Sequence, residues 1–265
     1  MFDGNYFNGL YYDVNGNGFP MIFLHGIGGS SAMFKPQVEE LANNFQTITV
    51  DLKGNGKSSS VTTLNYLKVH IDSILELMQQ LHIEKAIFVG LSYGGIVTQV
   101  FATKYPDKVK KMILIDTYAQ TFPKDKEELK LTLLGACVVL ATWIPKRILK
   151  RTLSYIAPYK NWDLAQQELL SITQTCRAKD VTLQMIEVFN INLLEDLIQI
   201  DIPVLVIVGD QVNSIVNKSK EIAQHLTKGQ LLVVNNSVDP TNLCQPMIVN
   251  QAILNFAIEK TTVLT

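Results

Sequence analysis

The segment Val89-Gly90-Leu91-Ser92-Tyr93-Gly94-Gly95 limits the possible folds more than any other stretch of the chain. Lys85 to Leu91 is an apolar run of strand character, and Gly95 to Lys104 has helical character, so the pattern Gly-x-Ser-x-Gly falls at a strand-to-helix corner. A serine placed on such a corner needs strained backbone angles and close approach of neighbouring elements. Gly90 and Gly94 supply positions without a Cβ on either side of it. The helix begins directly behind Ser92, so its first free N–H groups and positive dipole end face any anion that develops there. The corner predicts a serine nucleophile and a parallel sheet to carry it.

The rest of the chain alternates apolar strands with amphipathic helices, the pattern of a parallel sheet covered on both faces. Tyr11–Val14 and Met21–Leu24 flank Asn15-Gly16-Asn17-Gly18, which predicts an opening hairpin. A helix over Pro36–Asn43, a strand over Thr47–Val50, a long helix over Leu64–Leu81, the corner strand and a strand over Lys111–Ile115 follow. Residues 119–198 then read as almost entirely helical, broken at Pro123, Pro145 and Pro158. Strands over Pro203–Val208 and Gln230–Asn235 and helices over Asn217–Leu226 and Pro246–Glu259 complete the chain. The division expected is one α/β core of residues 1–118 and 199–265, with residues 119–198 as a helical insertion.

A chain of 265 residues with 18% charged residues and a formal net charge of −1 has no basic excess for nucleic acid. Cys137, Cys176 and Cys244 are odd in number and far apart, as expected of reduced thiols. No basic leader precedes an apolar run at the N-terminus, so a cytoplasmic location is expected. The most apolar stretch, Leu131 to Ile144, is shorter than the ~20 residues a bilayer span requires and predicts a buried or cap helix instead, with a membrane-surface role as the lesser alternative. Lys146, Arg147, Lys150 and Arg151 after it predict a solvated basic face. No His, Cys, Asp and Glu cluster has metal-ligand spacing, and no dinucleotide fingerprint follows a strand, so no metal or cofactor is expected.

Four motifs in order resemble those of the α/β-hydrolase family over nearly the whole chain. They are His25-Gly26-Ile27-Gly28-Gly29-Ser30, Asp51-Leu52-Lys53-Gly54-Asn55-Gly56-Lys57-Ser58, the Gly90–Gly94 corner and Asn242-Leu243-Cys244-Gln245-Pro246. The resemblance implies a mostly parallel sheet with helices on both faces, and a helical cap over a small-molecule pocket. It further implies an oxyanion hole from the backbone N–H groups of Ile27 and Tyr93.

The departures from that pattern are as informative. Where the family carries its catalytic acid, the chain reads Gly209-Asp210-Gln211-Val212-Asn213, which places Val212 at the vacated position. Where the family carries its catalytic histidine, ahead of Asn242, the chain has Asp239. A one-residue shift could bring in Asp210 as the acid, but none of His25, His70, His82 and His225 falls where the base belongs. Two adjacent carboxylates do not both ionise cheaply, so Val212 would relieve a conflict with Asp239. A carboxylate is also a weaker base than imidazole by about 2.6 pKa units, or ~3.5 kcal/mol. Loss of the base in a serine protease triad costs on the order of 10⁶ in turnover, so ordinary ester hydrolysis should be poor.

Ser92 and Asp239 are therefore the expected reacting pair, joined by a hydrogen bond. His25 is a secondary candidate base, although bracing its own loop is the plainer role. Asp116, at the end of a central strand, is a secondary candidate acid or a brace for the insertion. His70, His82 and His225 are expected on the surface. Three functions fit: an enzyme with altered, non-hydrolytic chemistry (elimination, cyclisation or isomerisation) on a small apolar or amphipathic carbonyl compound, a weak serine ester hydrolase, and a non-catalytic ligand-binding protein.

Overall fold

The computed structural model describes residues 4–259. Their elements are β1 (Asn5–Phe7), β2 (Leu10–Asn15), β3 (Phe19–Leu24), α1 (Lys35–Leu41), β4 (Phe45–Asp51), α2 (Tyr66–Gln80), β5 (Ala86–Leu91), α3 (Tyr93–Lys104) and β6 (Val109–Ile115). Five consecutive helices follow: α4 (Lys126–Ala141), α5 (Lys146–Ile156), α6 (Asp163–Thr175), α7 (Ala178–Val188) and α8 (Leu194–Leu197). The chain then returns through β7 (Val204–Gly209), α9 (Asn213–His225), β8 (Gly229–Val234), α10 (Thr241–Cys244) and α11 (Pro246–Ile258).

The eight strands form one sheet in the order β1-β2-β4-β3-β5-β6-β7-β8. Only the β1–β2 and β2–β4 pairings are antiparallel. Period-two alternation divides the strand side chains between two cores: Ile22, Leu24, Phe88 and Leu114 pack on the face covered by α2 and α3. Met21, Phe23, Val89 and Ile113 pack on the opposite face with α1 and α11. Lys111 of β6 is also buried, and its Nζ donates to the carbonyls of Phe256 (2.6 Å), Ala257 (3.2 Å) and Glu259 (2.6 Å). Those are terminal carbonyls of α11, which have no partner within their own helix.

The expected opening hairpin is not formed, because β4 lies between β2 and β3. The hairpin comes one strand earlier, β1 to β2, through Asn8 (φ 48°) and Gly9 (φ 76°), both in the left-handed region that a two-residue turn requires. Gly16 and Gly18 serve a different purpose. A Cβ on Gly16 would lie 2.2 Å from the Ala42 carbonyl oxygen, so these glycines let the β2–β3 connection press against the turn between α1 and β4.

The five helices between β6 and β7 attach unequally to the sheet layers. The Asp180 carboxylate of α7 accepts from the Tyr66 hydroxyl (2.8 Å), and the Glu187 carboxylate from the Leu67 N–H (2.9 Å). Arg177, just ahead of α7, donates to the Ser58 carbonyl (2.6 Å) and the Ser60 hydroxyl (2.9 Å). By contrast, of the alternatives for the stretch 131–144 the buried helix is not formed: in α4 only Glu128 and Val139 are buried, and in α5 no residue is.

Candidate active site

β5 ends at Leu91, and Ser92 stands alone at φ 50°, ψ −115° before α3 begins. That conformation is strained for a residue with a Cβ and is held from several sides. The Ser92 N–H donates to the Ile115 carbonyl (2.8 Å), while the Ser92 carbonyl accepts from the Thr117 hydroxyl (2.6 Å) and the Gly95 N–H (2.9 Å). The flanking glycines are dictated by proximity. A Cβ on Gly94 would sit 1.9 Å from the Leu24 carbonyl oxygen, and one on Gly90 2.5 Å from the Gly94 carbonyl oxygen. The Ser92 hydroxyl, partly exposed, has no hydrogen-bond partner among the described residues.

The loop after β3 runs against this corner: a Cβ on Gly26 would lie 3.4 Å from Ser92 Cβ. The Ile27 N–H enters no backbone hydrogen bond among the described residues, and the Tyr93 N–H is the first of the unpaired donors of α3. His25 is fully buried with both ring nitrogens committed: Nδ1 donates to the Gly26 carbonyl (2.7 Å) and Nε2 accepts from the Leu52 N–H (3.0 Å). Burial holds it below the ordinary histidine range, against the charge of Asp51. It braces the loop, and no ring nitrogen is left to serve Ser92 as a base.

His70 is not on the surface as expected. It is buried on α2, where Nε2 donates to the Lys53 carbonyl (2.8 Å) and Nδ1 accepts from the Tyr93 hydroxyl (2.9 Å). Burial lowers it to about 4, so it is neutral at ordinary pH. Its place could have been read from the helix, since Tyr66, His70, Ser73 and Leu77 repeat at intervals of four and three on the buried stripe. His82 is exposed, and the Nδ1 of partly buried His225 pairs with the Glu221 carbonyl of its own helix (2.8 Å).

The residues expected to complete the site lie on the turns after β6, β7 and β8. Asp116, buried and at φ 45°, follows β6. Its carboxylate accepts from the Thr241 N–H (2.6 Å), the Thr241 hydroxyl (2.9 Å) and the Gly209 N–H (3.3 Å). Burial pushes its carboxyl up to about 6, with those three donors opposing the rise. Asp116 thus pins the start of α10 to the end of β7.

Asp239 lies just ahead of α10, and its carboxyl makes no hydrogen bond among the described residues, to Ser92 or to any other group. Burial, aided by the charge of Asp116, pushes it well above the usual carboxylate range. The carboxylate conflict that Val212 would have relieved is therefore restored by Asp116. The Asp239 carbonyl accepts from the Tyr159 hydroxyl of the helical insertion (2.8 Å). Burial keeps the hydroxyls of Tyr118 and Tyr159 protonated. Sequence reasoning missed both, because the Tyr159 contact spans 80 positions and has no local pattern.

Val212, expected at the vacated acid position, packs with Val208, Ile215, Val216 and Tyr118 in an apolar cluster. Asp210 does not replace it. Its carboxylate accepts from the Ser237 N–H (3.2 Å) and the Gln211 amide (3.0 Å). The Cys244 thiol donates to the Val238 carbonyl (3.3 Å) and is pushed up to about 11 by burial, so it is not a competing nucleophile. A cavity of about 360 Å³ lined by Tyr11, Asp13, Asp51 and Lys57 includes neither Ser92 nor Asp239.

Comparison with known proteins places this geometry in context. Residues 20–238 match the family model described as alpha/beta hydrolase fold. The (E)-2-((N-methylformamido)methylene)succinate hydrolase of Acinetobacter baylyi is 25% identical over 250 residues, covering 91% of this chain and 91% of that protein. Among solved structures, E-2-(acetamidomethylene)succinate hydrolase superposes with a TM-score of 0.80 at 23% identity, covering 98% of this chain and all of that one. MGS-M2, an alpha/beta hydrolase enzyme from a Medee basin deep-sea metagenome library, superposes with a TM-score of 0.80 at 21% identity, covering 95% and 94%.

Proposed function

The chain belongs to the α/β-hydrolase fold family, and on that premise we propose that it is a small-molecule enzyme whose proton-transfer group is the neutral carboxyl of Asp239 in place of an imidazole. The observation that carries this reading is the state of Asp239: burial and the neighbouring Asp116 favour its protonated form, and no group among the described residues hydrogen-bonds its carboxyl. An acid kept neutral at ordinary pH is suited to donate a proton to an oxygen on which charge builds up.

The Ile27 and Tyr93 N–H groups would receive a substrate carbonyl oxygen, the arrangement that stabilises an oxyanion or enolate. Ser92, without a base at its hydroxyl, acts as a hydrogen-bond donor rather than as a nucleophile. Asp239 gives its proton to the leaving or rearranging oxygen and recovers one from the carbon that loses it. This is the balance of an elimination, cyclisation or isomerisation on a small apolar or amphipathic carbonyl compound. The helical insertion, with Tyr159 beside Asp239, would cap the pocket.

Weak serine ester hydrolysis is the second reading, favoured by the unpaired Ile27 and Tyr93 donors and by relatives named as hydrolases. Conversion of β-acyloxy ketones followed by NMR in ¹⁸O-water separates the two, since elimination releases an unlabelled carboxylic acid and ester hydrolysis a labelled one. The first reading requires product without label, with Asp239→Asn and Ser92→Ala each lowering turnover by at least ~10²-fold, the usual size of an acid–base contribution. Label entering the product only when Ser92 is present would establish hydrolysis instead. Full activity in both variants would sink the proposed pair, and tight binding with no product under any condition would mark a ligand-binding protein.

A further inference from the structure

The region 129–162 has a composition unlike the rest of the surface. It contains Lys130, Lys146, Arg147, Lys150, Arg151 and Lys160, and no aspartate or glutamate. The same region exposes large apolar side chains on α4 and α5: Leu134 is 61% exposed, Leu140 68%, Trp143 61%, Ile148 58% and Tyr155 93%. An exposed apolar surface of this extent on a folded chain marks an interaction site.

α5 concentrates both properties. On an α-helix, Lys146, Arg147, Lys150 and Arg151 form one stripe, while Ile148 and Tyr155, seven positions apart, form another. No residue of α5 is buried, and Arg147, Lys150 and Arg151 form no ion pair among the described residues. Trp143, at the turn into the helix, is held at one end by a hydrogen bond from Nε1 to the Thr182 hydroxyl (3.0 Å) and otherwise faces outward. Aliphatic side chains, an indole, a phenol and a cationic stripe on one amphipathic helix are the composition that seats in the headgroup layer of a membrane.

We propose that the α4–α5 face docks on an anionic bilayer surface, with Trp143, Ile148 and Tyr155 entering the headgroup layer, Arg147 and Arg151 on the flank of that face resting on lipid phosphates, and Lys150 adding to the positive field. No helix among the described residues is long and apolar enough to cross a membrane, so the contact is peripheral. Charge complementarity selects this occupant over a second copy of the chain. A two-fold contact through the same face would set the cationic stripe against itself, and residues 129–162 offer no carboxylate to relieve it. Docking of this kind requires nothing of Ser92 or Asp239, and a Ser92→Ala chain should dock as the parent does.

Sedimentation of the full chain with phosphatidylcholine vesicles containing roughly one-third phosphatidylglycerol tests the proposal against vesicles of phosphatidylcholine alone. The chain should pellet with the anionic vesicles only, and raising the salt to about 1 M, where charges are screened beyond ~3 Å, should release it. Reversing the stripe (R147E, K150E and R151E together) should lower the partition coefficient by roughly 100-fold or more, given the attraction of each cation for an anionic surface. Replacing Trp143 and Ile148 by serine should lower it about 10-fold through lost apolar burial. Equal retention on neutral vesicles, retention indifferent to salt, or unchanged partitioning of a folded reversal variant would overturn it. So would a concentration-dependent dimer in light scattering, abolished by I148S, in a chain that ignores vesicles. Should the reversal variant not fold, the lipid and salt series on the parent chain decides alone.

Discussion

At the scale of single residues, the site is decided by what surrounds Asp239. Asp116 holds the turn at Thr241 and Gly209 through three hydrogen bonds, while the carboxyl of Asp239, two residues before Thr241, has none among the described residues. Of two coupled carboxyls, the one supplied with donors keeps its charge more easily, and the proton settles on the other. An imidazole at position 239 would meet a carboxylate already in place, which makes Asp239→His an informative substitution. It is expected to raise hydrolysis of p-nitrophenyl acetate by ~10²-fold or more and to make Ser92 reactive toward fluorophosphonates, because it returns the base whose loss costs on the order of 10⁶. A variant that stays inert in both assays would mean that position 239 is not within reach of Ser92. The departures expected at Val212 and Asp239 came from the sequence, but the hydrogen bonds of Asp116 to Thr241 and Gly209 could not. They depend on three turns from separate strands meeting at one sheet edge.

At the scale of elements, the parallel core was readable because each buried strand is short, apolar and bounded by turn residues. Observed strand limits fall close to those expected, as with Thr47–Val50 against Phe45–Asp51. The opening hairpin failed for a specific reason: Asn15-Gly16-Asn17-Gly18 has the residues of a tight turn, but the positive φ angles of Gly16 and Gly18 serve packing against the Ala42 and Asn44 carbonyls. Local chemistry cannot distinguish those uses. Helical periodicity in the insertion was also visible, yet which faces would be covered was not. α7 is tied to α2 and to the 51–60 turn by Asp180, Glu187 and Arg177, whereas α4 and α5 bury little. Limited proteolysis should therefore cut first in the 142–146 and 157–162 turns and spare 178–188, as read by mass spectrometry of early fragments. First cuts within α7 would contradict this ordering.

For the molecule as a whole, buried titratable groups of opposite kind set the response to acid. The folded His70 has a value of about 4 against about 6.5 for a free histidine, so the unfolded chain binds the extra proton between those limits. Its contribution is full above pH ~6.5 and is lost as the pH falls toward 4, a change of roughly 3 kcal/mol. Asp116 acts in the opposite sense: its raised value, about 6, gives a contribution present at low pH and lost as pH rises through 6. Urea midpoints measured from pH 4.5 to 7 should show a shallower acid decline in His70→Gln than in the parent. An identical slope in the two would remove His70 as a source of acid sensitivity. None of this follows from four histidines in a sequence, because the sign depends on burial alone.

Lys111 gives the two ends of the core a common fate. Its ammonium sits in the central sheet and is held by the carbonyls of Phe256, Ala257 and Glu259 at the end of α11, by the ring of Phe256 and by the charge of Glu259. Fraying of that end would strand a cation among apolar strands, an expense of several kcal/mol that a solvent-facing helix end does not incur. The terminal helix therefore closes as a latch, fully seated or released in one step, and β6 and the turn that carries Asp116 inherit its cooperativity.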